Sequence, residues 1–209
     1  YLGNDTNKYL YLIGACDTNV QTINIDKNCK FIGPDAFRDC TSLLMVEIPY
    51  KIVLASASPR RKELLTGLGL DFSVRILDNI DESSPSLLQG EDISLFIANK
   101  KADAYLETLA EDELLITADT IVYLDGEVLG KPSTSQDATD MLTKLSGKWH
   151  QVITGVALCT KAKRHSFAVT TQVKFADLTK DEIEHYVNHF SPLDKAGAYG
   201  IQEWIGYIG

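Results

Sequence analysis

The stretch LLITADTIVYLDGEVLGKP, Leu114 to Pro132, reads as a strand that runs into a hairpin, with Asp125-Gly126 supplying the tight turn. The elements around it are of both kinds. KIVLA (Lys51 to Ala55) reads as a buried strand, and Pro59 to Leu68 as a helix with Ser58 as N-cap and Pro59 at its first position. SLFIANKKADAYLETL carries apolar residues at helical spacing, at Leu95, Ile97, Ala98, Ala102, Tyr105 and Leu106. DATDMLTKLSG is a helix closed by Gly147. HQVITGVALCT and SFAVTTQVKFADL read as antiparallel strands joined over KAKRH. TKDEIEHYVNHF is a helix whose Thr179 and Glu182 stand at capping-box spacing. Strands and helices mix without a strict βαβ alternation. The fold class expected is therefore α/β (mixed α+β), with a mixed sheet rather than a Rossmann fold.

The chain changes character near residue 50. Before it, VQTINI (Val20 to Ile25) and LLMVEI (Leu43 to Ile48) share a frame: Val20 matches Leu43, Ile23 matches Val46 and Ile25 matches Ile48, each 23 residues apart. Between them Ile32, Gly33, Ala36, Phe37, Cys40 and Leu43 stand where a short repeat places its turn and helix. Residues 1–49 thus resemble a fragment of a BspA-like leucine-rich repeat. A solenoid needs about three repeats to bury a continuous core, so this segment is not expected to stand alone.

Charge disfavours one class of partner. The formal net charge is −9, which offers no broad basic field to a nucleic-acid polymer. Small phosphorylated ligands remain open, because a few local cations or a metal can bind them. No apolar run is long enough for a membrane span, and no signal segment opens the chain. Cys16, Cys29, Cys40 and Cys159 form no CxxC pair and have no metal-ligand spacing, so buried or free thiols are the default, which is only weakly informative about a reducing cytoplasm.

The junction ASASPRRKELL, Ala55 to Leu65, is where chemistry should sit. A helix N-terminus presents free backbone N–H groups and partial positive charge. Ser56 and Ser58 add hydroxyls there, and Arg60 and Arg61 add fork-shaped cations that match phosphate oxygens. The plainer reading is an N-cap followed by two solvated arginines. Asp119 ends an apolar strand in LLITADT, where a carboxylate is costly unless it meets a cation, metal or donor. Asp81 and Glu82 in NIDESS follow another strand-like run and could bring a second carboxylate nearby. Two hard oxygen ligands plus substrate phosphates suit Mg²⁺. Lys131, past the hairpin, and Lys100 or Lys101 could meet phosphate charge. Singly, each of these residues has an ordinary structural reading.

Taken together, LASASPRRKELL, IDES, NKKADAY, ITADTIVYLDGEVLGKP, DATDMLTKLSGKWHQVITGVAL and LDKAGAYGIQ resemble the Maf family of nucleotide pyrophosphatases. The resemblance implies a Maf/ITPase-like fold over residues 50–209: a mixed twisted sheet with flanking helices and a central cleft. It implies hydrolysis of nucleoside triphosphates to the monophosphate and pyrophosphate with a divalent metal, Mg²⁺ or Mn²⁺, in a cytoplasmic house-cleaning role. Asp119 takes the place of the proton acceptor. Arg60, Thr120 and Gln202 fall on positions linked to base or substrate selection, while Ser58, Glu82, Lys101 and Lys131 match polar positions around phosphates and metal. SPRR, ADT and DKAGAYGIQ look like the branch acting on dTTP, UTP and modified pyrimidine forms. A glutamine amide both donates and accepts, which suits the paired carbonyl and N–H edge of uracil or thymine. Family members normally begin near KIVLAS and continue past WIGYIG. Residues 50–209 are thus expected to lack the usual C-terminal end, and the join near residue 50 to be either a fusion or an artefact. A homodimer is a family trait, and residues 1–49 are a candidate docking segment for a protein partner. Two alternatives stand beside this reading: a catalytically impaired chain serving as a protein-binding module, and the same chemistry with another base preference.

Overall fold

The computed structural model describes residues 49–208 without a break and, ahead of them, residues 11–12, 19, 21–25, 31–32, 41 and 45–47. In this leading part β1 (Tyr11–Leu12) runs parallel to β3 (Phe31–Ile32), and β2 (Thr22–Asn24) runs parallel to β4 (Met45–Glu47). Ile23 stands opposite Val46, two positions that share the 23-residue frame. Val20, Gly33, Ala36, Phe37, Cys40, Leu43 and Ile48 of the repeat-like pattern lie outside the described residues.

From Lys51 onward the chain builds a six-stranded mixed sheet. Its elements are β5 (Lys51–Leu54), α1 (Pro59–Gly67), β6 (Phe72–Val74), α2 (Glu91–Tyr105), β7 (Glu113–Leu124), β8 (Glu127–Leu129), α3 (Ser135–Leu145), β9 (Trp149–Cys159), β10 (Arg164–Lys174), α4 (Lys180–Phe190) and α5 (Ile205–Ile208). The strand order is β10-β9-β7-β5-β6, with β8 also on β7. β5 runs parallel to both β6 and β7; β9 is antiparallel to β7 and to β10. Ile52, Val53 and Leu54 of β5 are all buried, as a strand covered on both faces requires.

One face of the sheet carries α2. Its buried stripe of Ile93, Ile97, Ala98, Ala102 and Tyr105 follows the helical period and packs on β7 and β9. The approach is close because position 155 is glycine: a Cβ there would lie 2.4 Å from the backbone carbonyl of Ser94. On the opposite face α3 and α4 bury Leu142, Leu145, Ile183, Tyr186 and Val187 against Val122, Leu124, Leu129 and Phe175. Local signals set the ends of these helices. Thr134 caps α3, Gly147 leaves it with φ of 69°, and Thr179 with Glu182 forms the expected capping box on α4. The hairpin turn falls on Asp125 and Gly126, both at positive φ. No helix among the described residues is long and apolar enough to cross a membrane. Cys159 is a buried free thiol, and the other three cysteines lie outside the described residues.

Candidate active site

The site begins where β5 stops. Its last register pair with β7 is Leu54 with Ile116, followed by one more bond from Ala55 N to Ile116 O at 2.9 Å. β7 continues to Leu124, and β8 takes up the same edge only at Val122. Between Ile116 and Val122 this edge of β7 faces no strand, so its polar backbone groups need other partners. Arg61 supplies one. Its Nη1 donates to Ala118 O at 2.9 Å and to Ser56 Oγ at 3.3 Å, and Nη2 donates to Thr120 Oγ1 at 3.3 Å. Thr120 in turn shares a 3.0 Å hydrogen bond with Thr154 on β9. Ser58 sits at the N-cap, but its side chain makes no capping bond; instead its N–H donates to Ser56 Oγ at 3.2 Å. Helix α1 buries none of its residues, so the reach of Arg61 to β7 is what ties it to the sheet. Burial pulls the Arg61 pKa down, while the nearby charges of Asp119 and Glu82 oppose that shift.

On the α2 face, the strand alternation sets Thr117, Asp119 and Ile121 toward the helix. Thr117 Oγ1 donates to Ala98 O at 2.7 Å, and one turn along Lys101 reaches Asp119 Oδ1 with its Nζ at 2.8 Å. The same ammonium lies 3.1 Å from Glu82 Oε1. The side chains of Lys101 and Asp119 are each only 12% exposed, whereas Glu82 is 54% exposed and open to a ligand. Adjacent residues hold this acidic loop in place. Lys100 Nζ meets Asp81 Oδ2 at 2.6 Å, and Ser83 donates to Asp81 through both its N–H and its hydroxyl at 2.9 Å. The Lys100 ammonium, then these Ser83 bonds, keep the Asp81 carboxyl well below the usual carboxylate range. Upstream, Tyr105 Oη accepts from Leu77 N at 2.9 Å and donates to Arg75 O at 3.1 Å, fixing the chain that leads into the loop.

The carboxylates of Glu82 and Asp119 therefore converge on one cationic point. Among the described residues no group of three or more His, Cys, Asp or Glu is placed to hold a metal ion. Two converging hard-oxygen donors nevertheless fit Mg²⁺ or Mn²⁺ of the kind that keeps waters and takes its remaining oxygens from substrate phosphates.

Of the residues expected from sequence, Ser56, Arg61, Glu82, Lys101, Asp119 and Thr120 are brought into one cluster, with Ser58 joined through its backbone. Arg60, Lys131 and Gln202 are exposed outside the hydrogen-bonded cluster. Arg60 lies on the first turn of α1, close enough for its charge to act on Asp194. Lys131 stands two residues beyond β8, and Gln202 occupies the turn after Gly200. One expectation needs correcting. Asp119 does not end a strand: it lies inside β7, opposite Gly155 of β9, and only its β5-side neighbour has stopped. Sequence reasoning also passed over Thr154 and Gly155. A glycine interrupting the alternation of HQVITGVALCT is the signal that marks close backbone approach.

His150 proves structural. It is buried, its Nε2 meets Tyr199 Oη at 2.8 Å, and its ring stands edge-on to Phe175 and Tyr199. Burial lowers its pKa. The folded chain thus takes up this proton less readily than the unfolded chain, whose histidine titrates near about 6.5. The stability this gives is complete above that value and is lost progressively as pH falls below it. We expect the melting temperature to drop between pH 7.5 and 5.5, and His150→Gln to flatten that drop. An unchanged slope in the variant would remove His150 as its source.

Comparison with known proteins sets these features in context. The family model described as Maf-like protein matches residues 51–209. A dTTP/UTP pyrophosphatase of Bacteroides fragilis is 61% identical over 160 residues, which cover 77% of this chain and 83% of that protein. A dTTP/UTP pyrophosphatase of Phocaeicola vulgatus is 58% identical over 160 residues, with the same coverage of 77% and 83%. Among solved structures, a HAM1 protein from Coxiella burnetii is similar with a TM-score of 0.41 and 13% identity, over 60% of this chain and 72% of that one.

Proposed function

This chain belongs to the Maf family, and we propose that it hydrolyses pyrimidine nucleoside triphosphates, dTTP and UTP, to the monophosphate and pyrophosphate. The observation that carries the reading is the meeting of Asp119, Lys101 and Glu82 beside the strand edge capped by Arg61. Water attacks phosphorus at the α–β bridge, the bridging oxygen leaves with one product, and the water's proton goes to Asp119. Phosphoryl transfer of this kind depends mainly on positioning and on stabilising charge. Lys101 has three N–H donors and uses two, and Arg61 has five and uses three, so each keeps capacity for phosphate oxygens. The free N–H groups opening α1, with Ser56 and Ser58, extend the same cradle. Glu82 and Asp119 would hold a divalent ion. When bound, that ion neutralises phosphate charge.

Base selection falls to residues at the rim. Gln202 offers an amide that can donate and accept on a pyrimidine edge, with Arg60 and Thr120 beside the sugar or base. Lys131 contributes long-range attraction to the triphosphate. A role in clearing nucleotide pools supports a cytoplasmic location. The deciding experiment incubates the purified chain with a panel of nucleoside triphosphates and Mg²⁺ or Mn²⁺, and assays pyrophosphate. Turnover of dTTP and UTP should exceed that of purine nucleotides. A chain with a folded circular-dichroism spectrum that releases no pyrophosphate from any nucleotide would overturn the reading.

A further inference from the structure

The turn that carries Gln202 is gripped at both ends by groups outside the catalytic cluster. At its start, Gly200 N donates to Tyr186 Oη at 3.0 Å. At its end, the Glu203 carboxylate accepts the hydroxyl proton of the same tyrosine and lies 3.2 Å from Lys195 Nζ. Glu203 N closes the turn on Gly200 O at 2.9 Å. Lys195 is 8% exposed and also meets Asp194 Oδ1 at 2.9 Å. Tyr186 comes from the interior face of α4 and is fully buried, so its hydroxyl is a fixed point for the turn. A Cβ at position 200 would sit tight against the Glu203 carboxyl group, at 3.0–3.2 Å.

Asp194, ion-paired to Lys195, extends this network. The chain of groups Asp194, Lys195, Glu203 and Tyr186 thus fixes the turn that carries the exposed Gln202. We propose that Glu203 and Tyr186 are positioning residues that hold the Gln202 turn in place and thereby set base preference. The inference rests on the function proposed above, because it gives Gln202 its base-reading role. Neither residue is joined to the cluster of Asp119, Lys101 and Glu82, so neither should govern the chemical step.

The test compares kcat and KM for dTTP, UTP and dATP in the full chain, in Glu203→Ala, in Tyr186→Phe and in Glu203→Gln. Glu203→Ala should raise KM for dTTP and UTP by about tenfold, with kcat changed less than about twofold and the preference over dATP largely lost. Tyr186→Phe removes the one hydroxyl that serves both ends of the grip and should act in the same direction. Glu203→Gln keeps an acceptor for Tyr186 and should restore most of the preference. A purely structural role would lower the melting temperature and depress all three nucleotides alike. If Glu203→Ala does not fold, Tyr186→Phe decides the matter. Should the native chain prefer pyrimidines and both foldable variants keep its ratio, the positioning role is wrong while the proposed function stands. Absence of turnover in the native chain overturns both.

Discussion

Asp119→Asn should reduce pyrophosphate release by at least about 10²–10⁴-fold, while the chain stays folded and still binds nucleotide. The substitution is nearly isosteric, and the amide oxygen can still accept the bond that Lys101 now donates at 2.8 Å. What it removes is the ability to take a proton from water, together with a charge held at 9% exposure between sheet and helix. Lys101 would keep Glu82 as its remaining anionic partner, so the ammonium is not stranded. Loss of turnover with retained binding, measured by titration with dTTP, thus separates the chemical step from the phosphate cradle. Near-native rates in the asparagine variant would sink the assignment of Asp119, whatever the fold.

The order in which the sequence became informative follows from range. Features that depend on a few consecutive residues were readable: the Asp125-Gly126 turn, the Thr179 and Glu182 capping box, the closure of α3 by Gly147, and the antiparallel pairing of β9 with β10. The serine-proline-arginine junction was readable as a helix start, but not the choice of partners there. Ser56 rather than Ser58 accepts the local bond, because Arg61 draws its hydroxyl toward the strand edge. Asp119 looked like a strand end because its local sequence turns polar. The actual boundary belongs to β5, more than sixty residues earlier in the chain, and nothing within LLITADT reports it.

The two lysines of α2 illustrate a finer limit. Lys100 and Lys101 are equivalent as charges, and only the helix face separates them. The stripe of Ile97, Ala98 and Ala102 turns Lys101 toward the sheet and Asp119, and leaves Lys100 to hold Asp81. Each of the two neighbouring lysines thus holds one of two neighbouring acids, and that pairing aims Glu82 at the site. The Glu203 and Tyr186 grip was illegible for a different reason: it joins α4 to a turn through side chains that carry no spacing signal.

Gly155→Ala should be strongly damaging, because the added methyl has no room between β9 and α2. A Cβ at position 155 would lie 2.4 Å from Ser94 C and O and 2.6 Å from Leu95 N. These are backbone atoms of a helix, so no side chain can rotate away, and either α2 lifts from the sheet or β9 bends. Overpacking typically costs about 1–3 kcal/mol, and a clash with helix backbone sits at the upper end, which for a domain of this size lowers the melting temperature by roughly 6–12 °C. The damage should not stop at stability. Gly155 faces Asp119 across the ladder, and Lys101 lies two turns along α2 from Ser94. Lifting the helix draws the ammonium away from the carboxylate that it holds, so turnover should fall even at temperatures where the variant is folded. Gly130→Ala is the matched control, since a Cβ at Gly130 meets nothing within 4 Å. A Gly155→Ala protein that melts and turns over like the Gly130→Ala control would mean that α2 does not sit this close to β9, and that the short approach is not what brings Lys101 to Asp119.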